Sequence, residues 1–191
     1  MGMTILWYKY YNPNLKVLAF EPNAKAHSFL SKNIKVNKLK NITLYPIALS
    51  NKKGTATFYE IDDDIQNLDS GLTLNQDLPH RSFKVKIDLL SKYITESVDL
   101  LKMDIEGGEY VVFEDLFKNK KIKYFNNIIF EAHFFNKEQK KLLRAIIVKL
   151  KKTGRIERLD NSALTSIYTY KKRIRQKELP LHLLHLSQYA Q

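Results

Sequence analysis

Three short runs, LKVLAF at 15–20, VDLLKM at 98–103 and NIIFE at 127–131, are too apolar to leave one strand face in water. Each is followed by a segment with helical spacing, and strands of this kind need helices against both faces. The pattern therefore predicts an α/β fold with a mostly parallel sheet covered on each side. Helices are expected over 4–11, stopped by Asn12-Pro13-Asn14, and from an Asn23 cap to Val36, with Ala26, Phe29, Leu30 and Ile34 inward. A third opens at Gly107-Gly108 and runs to Phe117. The fourth spans 137–152, with Leu142, Leu143, Ile146, Ile147 and Leu150 inward. Further strands are expected at 42–45, 55–60 and 82–87. Strands 156–159 and 163–170, around an Asp160-Asn161-Ser162 turn, are expected to form an antiparallel edge hairpin. Residues 61–80 are polar and turn-rich and predict a loop.

The 191 residues fit one domain with room for a sizeable core. No apolar run approaches the ~20 residues of a membrane helix. Tyr8, Lys9 and Tyr10 break up what could otherwise pass for a secretory signal. The chain has no cysteine, which removes disulfides and thiolate sites and fits a cytoplasmic location. The formal charge of +12 comes mostly from lysines spread along the chain, so a solvated surface is expected rather than a nucleic-acid interface.

In an open sheet of this kind, ligands bind beyond the carboxyl ends of the strands. Glu21 stands at such an end, 19 residues after Gly2. An acid about 20 residues past a glycine turn, at the tip of the next strand, is placed to accept from both hydroxyls of a ribose; the plain alternative is a surface glutamate before Pro22. KMDIEGGE at 102–109 is the most specific stretch. A buried strand ends on Asp104, and Gly107 and Gly108 let the backbone pass close to a bulky group. Asp104 can orient a substrate hydroxyl or take its proton; as a plain structural residue it would cap the helix. Glu109 in the first helical turn suits the helix dipole.

The order FEPN, N-x-L-x-N, IALS, G-T-A-x-F, VDLLKMDIEGGE and NIIFEAH resembles the FkbM-type family of S-adenosylmethionine-dependent methyltransferases over roughly residues 2–170. The resemblance implies a Rossmann-like class I sheet with strand order 3-2-1-4-5-7-6. It implies that Glu21, with Gly2 and Gly107, holds the cofactor and that Ala48 lies near its adenine. Asp104 and Glu106 would face the methionine end and the substrate. The implied activity is methylation of a hydroxyl on a sugar, glycan or small metabolite. Relative to that family, the first strand and most of D-x-G-A-N-x-G are missing, with Gly2 matching the last glycine. The sheet is thus expected to be N-terminally truncated, with two inner strands lacking a partner. An inactive methyltransferase-like fragment or binding module is the alternative, and an interrupted sheet would gain from pairing with a second copy. Residues 1–172 form the expected domain, with 173–191 as a tail.

Other signals are weaker. His133 follows NIIFEA and suits a general base working with Asp104, or a simple strand-end cap. Asp104, Glu106 and His133 lack any close spacing, so no metal is expected. Asp62-Asp63-Asp64 lacks calcium-loop spacing, and Ser70-Gly71-Leu72-Thr73 suits a lid or a solvent-exposed turn. Trp7, Tyr8, Tyr10 and Tyr11 read as core and rim residues of the first helix. In the tail, Leu179, Leu183 and Leu186 share one helical face and suit docking on the domain or on another chain.

Overall fold

The computed structural model describes residues 3–61, 70–71, 80–133, 136–159, 165–173 and 182–187. In chain order the elements are α1 (Met3–Tyr11), β1 (Lys16–Phe20), α2 (Ala24–Val36), β2 (Ile42–Tyr45), β3 (Ala48–Leu49), β4 (Gly54–Ile61), β5 (Ser70–Gly71) and β6 (His80–Asp88). They continue with β7 (Val98–Asp104), α3 (Glu109–Lys118), β8 (Phe125–His133), α4 (Lys137–Lys151), β9 (Gly154–Arg158), β10 (Thr165–Lys172) and β11 (His182–Ser187). Gly2, Asp62-Asp63-Asp64, Leu72, Thr73, the Asp160-Asn161-Ser162 turn and Leu179, all singled out in the sequence, lie outside the described residues.

The helices begin where side-chain oxygens meet free backbone donors. Asn23 accepts from the N–H groups of Lys25 and Ala26 at the start of α2, and Asn136 accepts from Gln139 at the start of α4. At the far end of α1, the buried ammonium of Lys9 donates to the carbonyls of Pro13 and Leu15. That contact ties the helix to the entry of β1.

A seven-stranded sheet runs in the order β2-β1-β11-β7-β8-β10-β9. The first five strands are mutually parallel, and β10 is antiparallel to both β8 and β9, which gives the expected edge hairpin. Both faces are covered. Phe20, Leu101, Met103, Ile128 and Phe130 pack in one core with Tyr110, Phe113 and Leu116 of α3 and Leu143, Ile146 and Leu150 of α4. Val17 and Ala19, on the other face of β1, pack with Ile5 of α1 and Leu30 of α2. Within these helices Phe29 and Leu142 are exposed rather than inward, at 50% and 43%. The apolar stripe is narrower than the helical spacing suggests. On α1, Ile5 is buried and Tyr8 packs against the core, while Trp7, Tyr10 and Tyr11 stand in solvent.

Two features depart from the sequence expectations. Leu183 and Leu186 do not share a helical face, because His182–Ser187 is a strand. It also removes the expected gap. β11 lies between β1 and β7 and pairs in parallel with both, from Lys16↔His182 to Phe20↔Leu186 on one side and from Leu183↔Leu100 to Ser187↔Asp104 on the other. The physical reason is the cost of two unpaired inner edges, which outweighs the helical spacing of three leucines. Chain reach allows the insertion. β10 runs opposite to the parallel strands and ends at the edge where β11 begins, three strand positions or ~14 Å away. The stretch from 173 to 181 can span ~30 Å. Second, β3, β6, β4 and β5 form a separate four-stranded sheet with a small core of Ala48, Phe58, Val85 and Ile87.

Candidate functional site

The registers bring the acids of the strand ends to one edge. Phe20 pairs with Leu186, and Leu186 with Met103, so Glu21 and Asp104 stand next in line on either side of the exit of β11. Two strand spacings put their backbones roughly 10 Å apart. Met103 pairs with Phe130, which brings the end of β8, with Glu131 and His133, to the same edge.

Glu21 is 3% exposed, and its Oε1 accepts from the Asn23 N–H at 2.9 Å. Asn23 also donates through Nδ2 to Glu60 of the second sheet at 2.8 Å, so one residue caps α2, fixes Glu21 and ties the two sheets together. Burial is the main reason the Glu21 carboxyl is pushed up to about 8; the Asn23 bond opposes the shift and the charge of Glu60 adds to it. At neutral pH Glu21 therefore holds its proton. Donors to both of its oxygens would favour the ionised form.

After β7 the chain turns sharply. The Gly108 N–H donates to the Ile105 carbonyl at 3.1 Å, and the two residues between have positive φ, Glu106 at 47° and Gly107 at 86°. This is the geometry of a type I′ turn, in which glycine carries no steric cost and glutamate does. The second glycine has another reason: a Cβ on Gly108 would lie 3.1 Å from the Ile105 side chain. The left-handed backbone at Glu106 sends its side chain to His133, with Oε1 at 2.9 Å from Nε2. Glu109, the first residue of α3, comes from the opposite side, with Oε1 at 3.1 Å from His133 Nδ1 while also accepting from the Ile105 N–H. The Tyr110 hydroxyl donates to the His133 carbonyl.

His133 is thus buried between two carboxylates. Burial alone would lower its pKa. The bonds to Glu106 and Glu109 and their charges prevail and raise it to about 11, so the imidazole carries a proton at neutral pH. Asp104 differs. Its Oδ2 lies 3.3 Å from Lys102 Nζ, and its buried Oδ1 has no hydrogen-bond partner among the described residues.

Of the residues singled out in the sequence, Glu21, Asp104, Glu106, Gly107 and His133 come together at this edge. Ala48 does not line it with a side chain: it is fully buried in the core of the second sheet. By sequence Glu109 only complements the helix dipole, yet it is 1% exposed and holds His133. Its signal was the acid five residues after Asp104 in the first turn of a buried helix. A cavity of about 190 Å³ lies elsewhere, between α3 and α4, lined by Tyr110, Phe117, Leu142 and Ile146 among others.

The family model of the methyltransferase FkbM domain matches residues 4–157. The chain belongs to the FkbM methyltransferase family. The match covers every residue of this edge from Glu21 to His133, and β11 lies outside it. No curated protein and no solved structure matches the chain. Among the described residues of this FkbM-family chain, no helix is long and apolar enough to cross a membrane.

Proposed function

We propose that this FkbM-family chain is an S-adenosylmethionine-dependent O-methyltransferase acting on a hydroxyl of a sugar, glycan or small metabolite. The observation that carries this reading is the shared edge: a buried carboxyl at the tip of β1 and, at the tip of β7, a carboxylate oxygen without a hydrogen-bond partner among the described residues, two strand positions apart. The strand order supports a Rossmann-like sheet with β11 in the slot of the first strand, since β10 is antiparallel and lies between β8 and β9. Glu21 suits the cofactor ribose because a diol supplies the donors that would ionise a carboxyl buried with few partners. When bound, the cofactor supplies an electrophilic methyl on sulfur, whose C–S bond breaks as the acceptor oxygen bonds to carbon.

The chain's own residues handle the acceptor and its proton. Asp104 takes the hydroxyl proton through Oδ1 as the new O–C bond forms. His133, already protonated and bonded at both nitrogens, is not free to accept it; it holds Glu106 in place beside Asp104. Glu106 and Gly107 form the turn against which the acceptor sits. Titration calorimetry with S-adenosylmethionine and a methyl-transfer assay on hydroxyl acceptors test the proposal together. Asp104→Asn should keep cofactor binding and lose transfer by about 100-fold or more. A folded chain that binds no cofactor would refute the reading and favour an inert binding module.

A further inference from the structure

Asp104, Glu106, Glu109 and Glu131 surround the His133 imidazole, with Lys102 as the neighbouring ammonium. On the Nε2 side, Asp104 Oδ1 is buried without a hydrogen-bond partner among the described residues. Buried polar atoms are nearly always satisfied, and orphaned anionic oxygens point to a missing positive partner. Asp104, Glu106 and His133 each offer a ligand atom, and these atoms lie within 4.8 Å of one another.

We infer that Asp104, Glu106 and His133 Nε2 bind a divalent cation of the first transition row. Glu109 plays the orienting part. It accepts from Nδ1 at 3.1 Å and is itself pinned by the Ile105 N–H, which aims Nε2 at the two other carboxylates. A carboxylate behind a ligating imidazole is the usual outer partner of such a site. The cation takes the place of the proton shared by Nε2 and Glu106 Oε1, so binding releases one proton to solvent. Two carboxylates and one imidazole suit Mn²⁺ or Fe²⁺ better than Mg²⁺, which prefers oxygen alone. Three protein ligands leave positions for water or a substrate oxygen. In the cation-bound form Asp104 and His133 act as ligands, so the proton-accepting part of Asp104 belongs to the metal-free chain, and cation binding does not rest on the proposed methyl transfer.

The test is a titration of the chelator-treated chain 1–191 with MnCl₂, without cofactor, followed by the electron paramagnetic resonance signal of free Mn²⁺. One Mn²⁺ per chain is expected, with a nitrogen hyperfine coupling in the echo-modulation spectrum of the bound ion. Asp104→Asn and Glu106→Gln should each weaken binding at least tenfold while keeping the far-ultraviolet circular dichroism of the parent. Absence of stoichiometric binding, absence of nitrogen coupling, or unchanged affinity in both folded variants would overturn the inference. If a variant does not fold, the nitrogen coupling in the parent chain decides. Cofactor binding is measured separately. Mn²⁺ binding without cofactor binding would sink the methyl-transfer reading alone, and the reverse would sink the metal site alone.

Discussion

Removing residues 174–191 should dismantle the sheet at its centre. β11 pairs over five residues with β1 and over five with β7. A parallel ladder carries roughly one hydrogen bond per pair, and each contributes about 0.5–1.5 kcal/mol net. The ten pairs thus contribute on the order of 5–15 kcal/mol, as much as the whole stability of an ordinary domain. Even if half of that is offset by the freedom the segment regains, the loss is on the order of 5 kcal/mol. The shortened chain, 1–173, is expected to lose its cooperative urea transition and to bind a hydrophobic dye. Amide exchange should speed up at 17–20 and 100–103, the stretches that flank β11. A synthetic peptide of residues 174–191 should restore the transition in trans. A shortened chain that unfolds cooperatively, with a midpoint within about 0.5 M of the parent, would refute the central placement of β11.

Glu21 predicts a pH dependence of its own. Its folded pKa of about 8 lies above the ordinary 4.5, so between these values the folded chain holds a proton that the unfolded chain has lost. Stability should therefore fall as pH rises from 4.5 to 8. Glu21→Gln should flatten that slope and stabilise the chain at pH 8 by a few kcal/mol, on the order of what the pKa difference implies; an unchanged slope in urea titrations would contradict this. His133 acts in the same direction over a higher pH window. Its raised folded pKa gives stability that is fully present below about 6.5 and lost only as pH approaches 11. In metal-free protein, nitrogen-15 spectra should show both ring nitrogens of His133 protonated at pH 8, and Glu109→Gln should lower its pKa; a neutral ring at pH 8 would count against the acid–imidazole–acid arrangement.

Much of the main sheet was legible because its strands obey local rules. LKVLAF, VDLLKM and NIIFE could only be buried strands, and Asn23 announced α2 through an oxygen that reaches two backbone donors. That the strand-end acids share one edge was legible too, since strands that run parallel end together. What failed depended on distant partners. His182–Ser187 fits helix and strand equally well as a sequence, and only the slot between β1 and β7 decides it. The burial of Ala48 was not legible because it depends on pairing with Ile87, a partner far along the chain. Glu109 looked like a surface charge at a helix start; its burial follows from His133, which only the pairing of β7 with β8 brings near. Phe29 and Leu142 fit the inward face by spacing, and the real stripes are narrower.

The most direct measurement is calorimetric titration of S-adenosylmethionine into the full chain and into Glu21→Ala at pH 8. The account predicts one cofactor per chain for the parent and an affinity at least tenfold weaker for the variant, both with the parent's circular dichroism. Equal affinity in the two, or no binding to a folded parent chain, would contradict it.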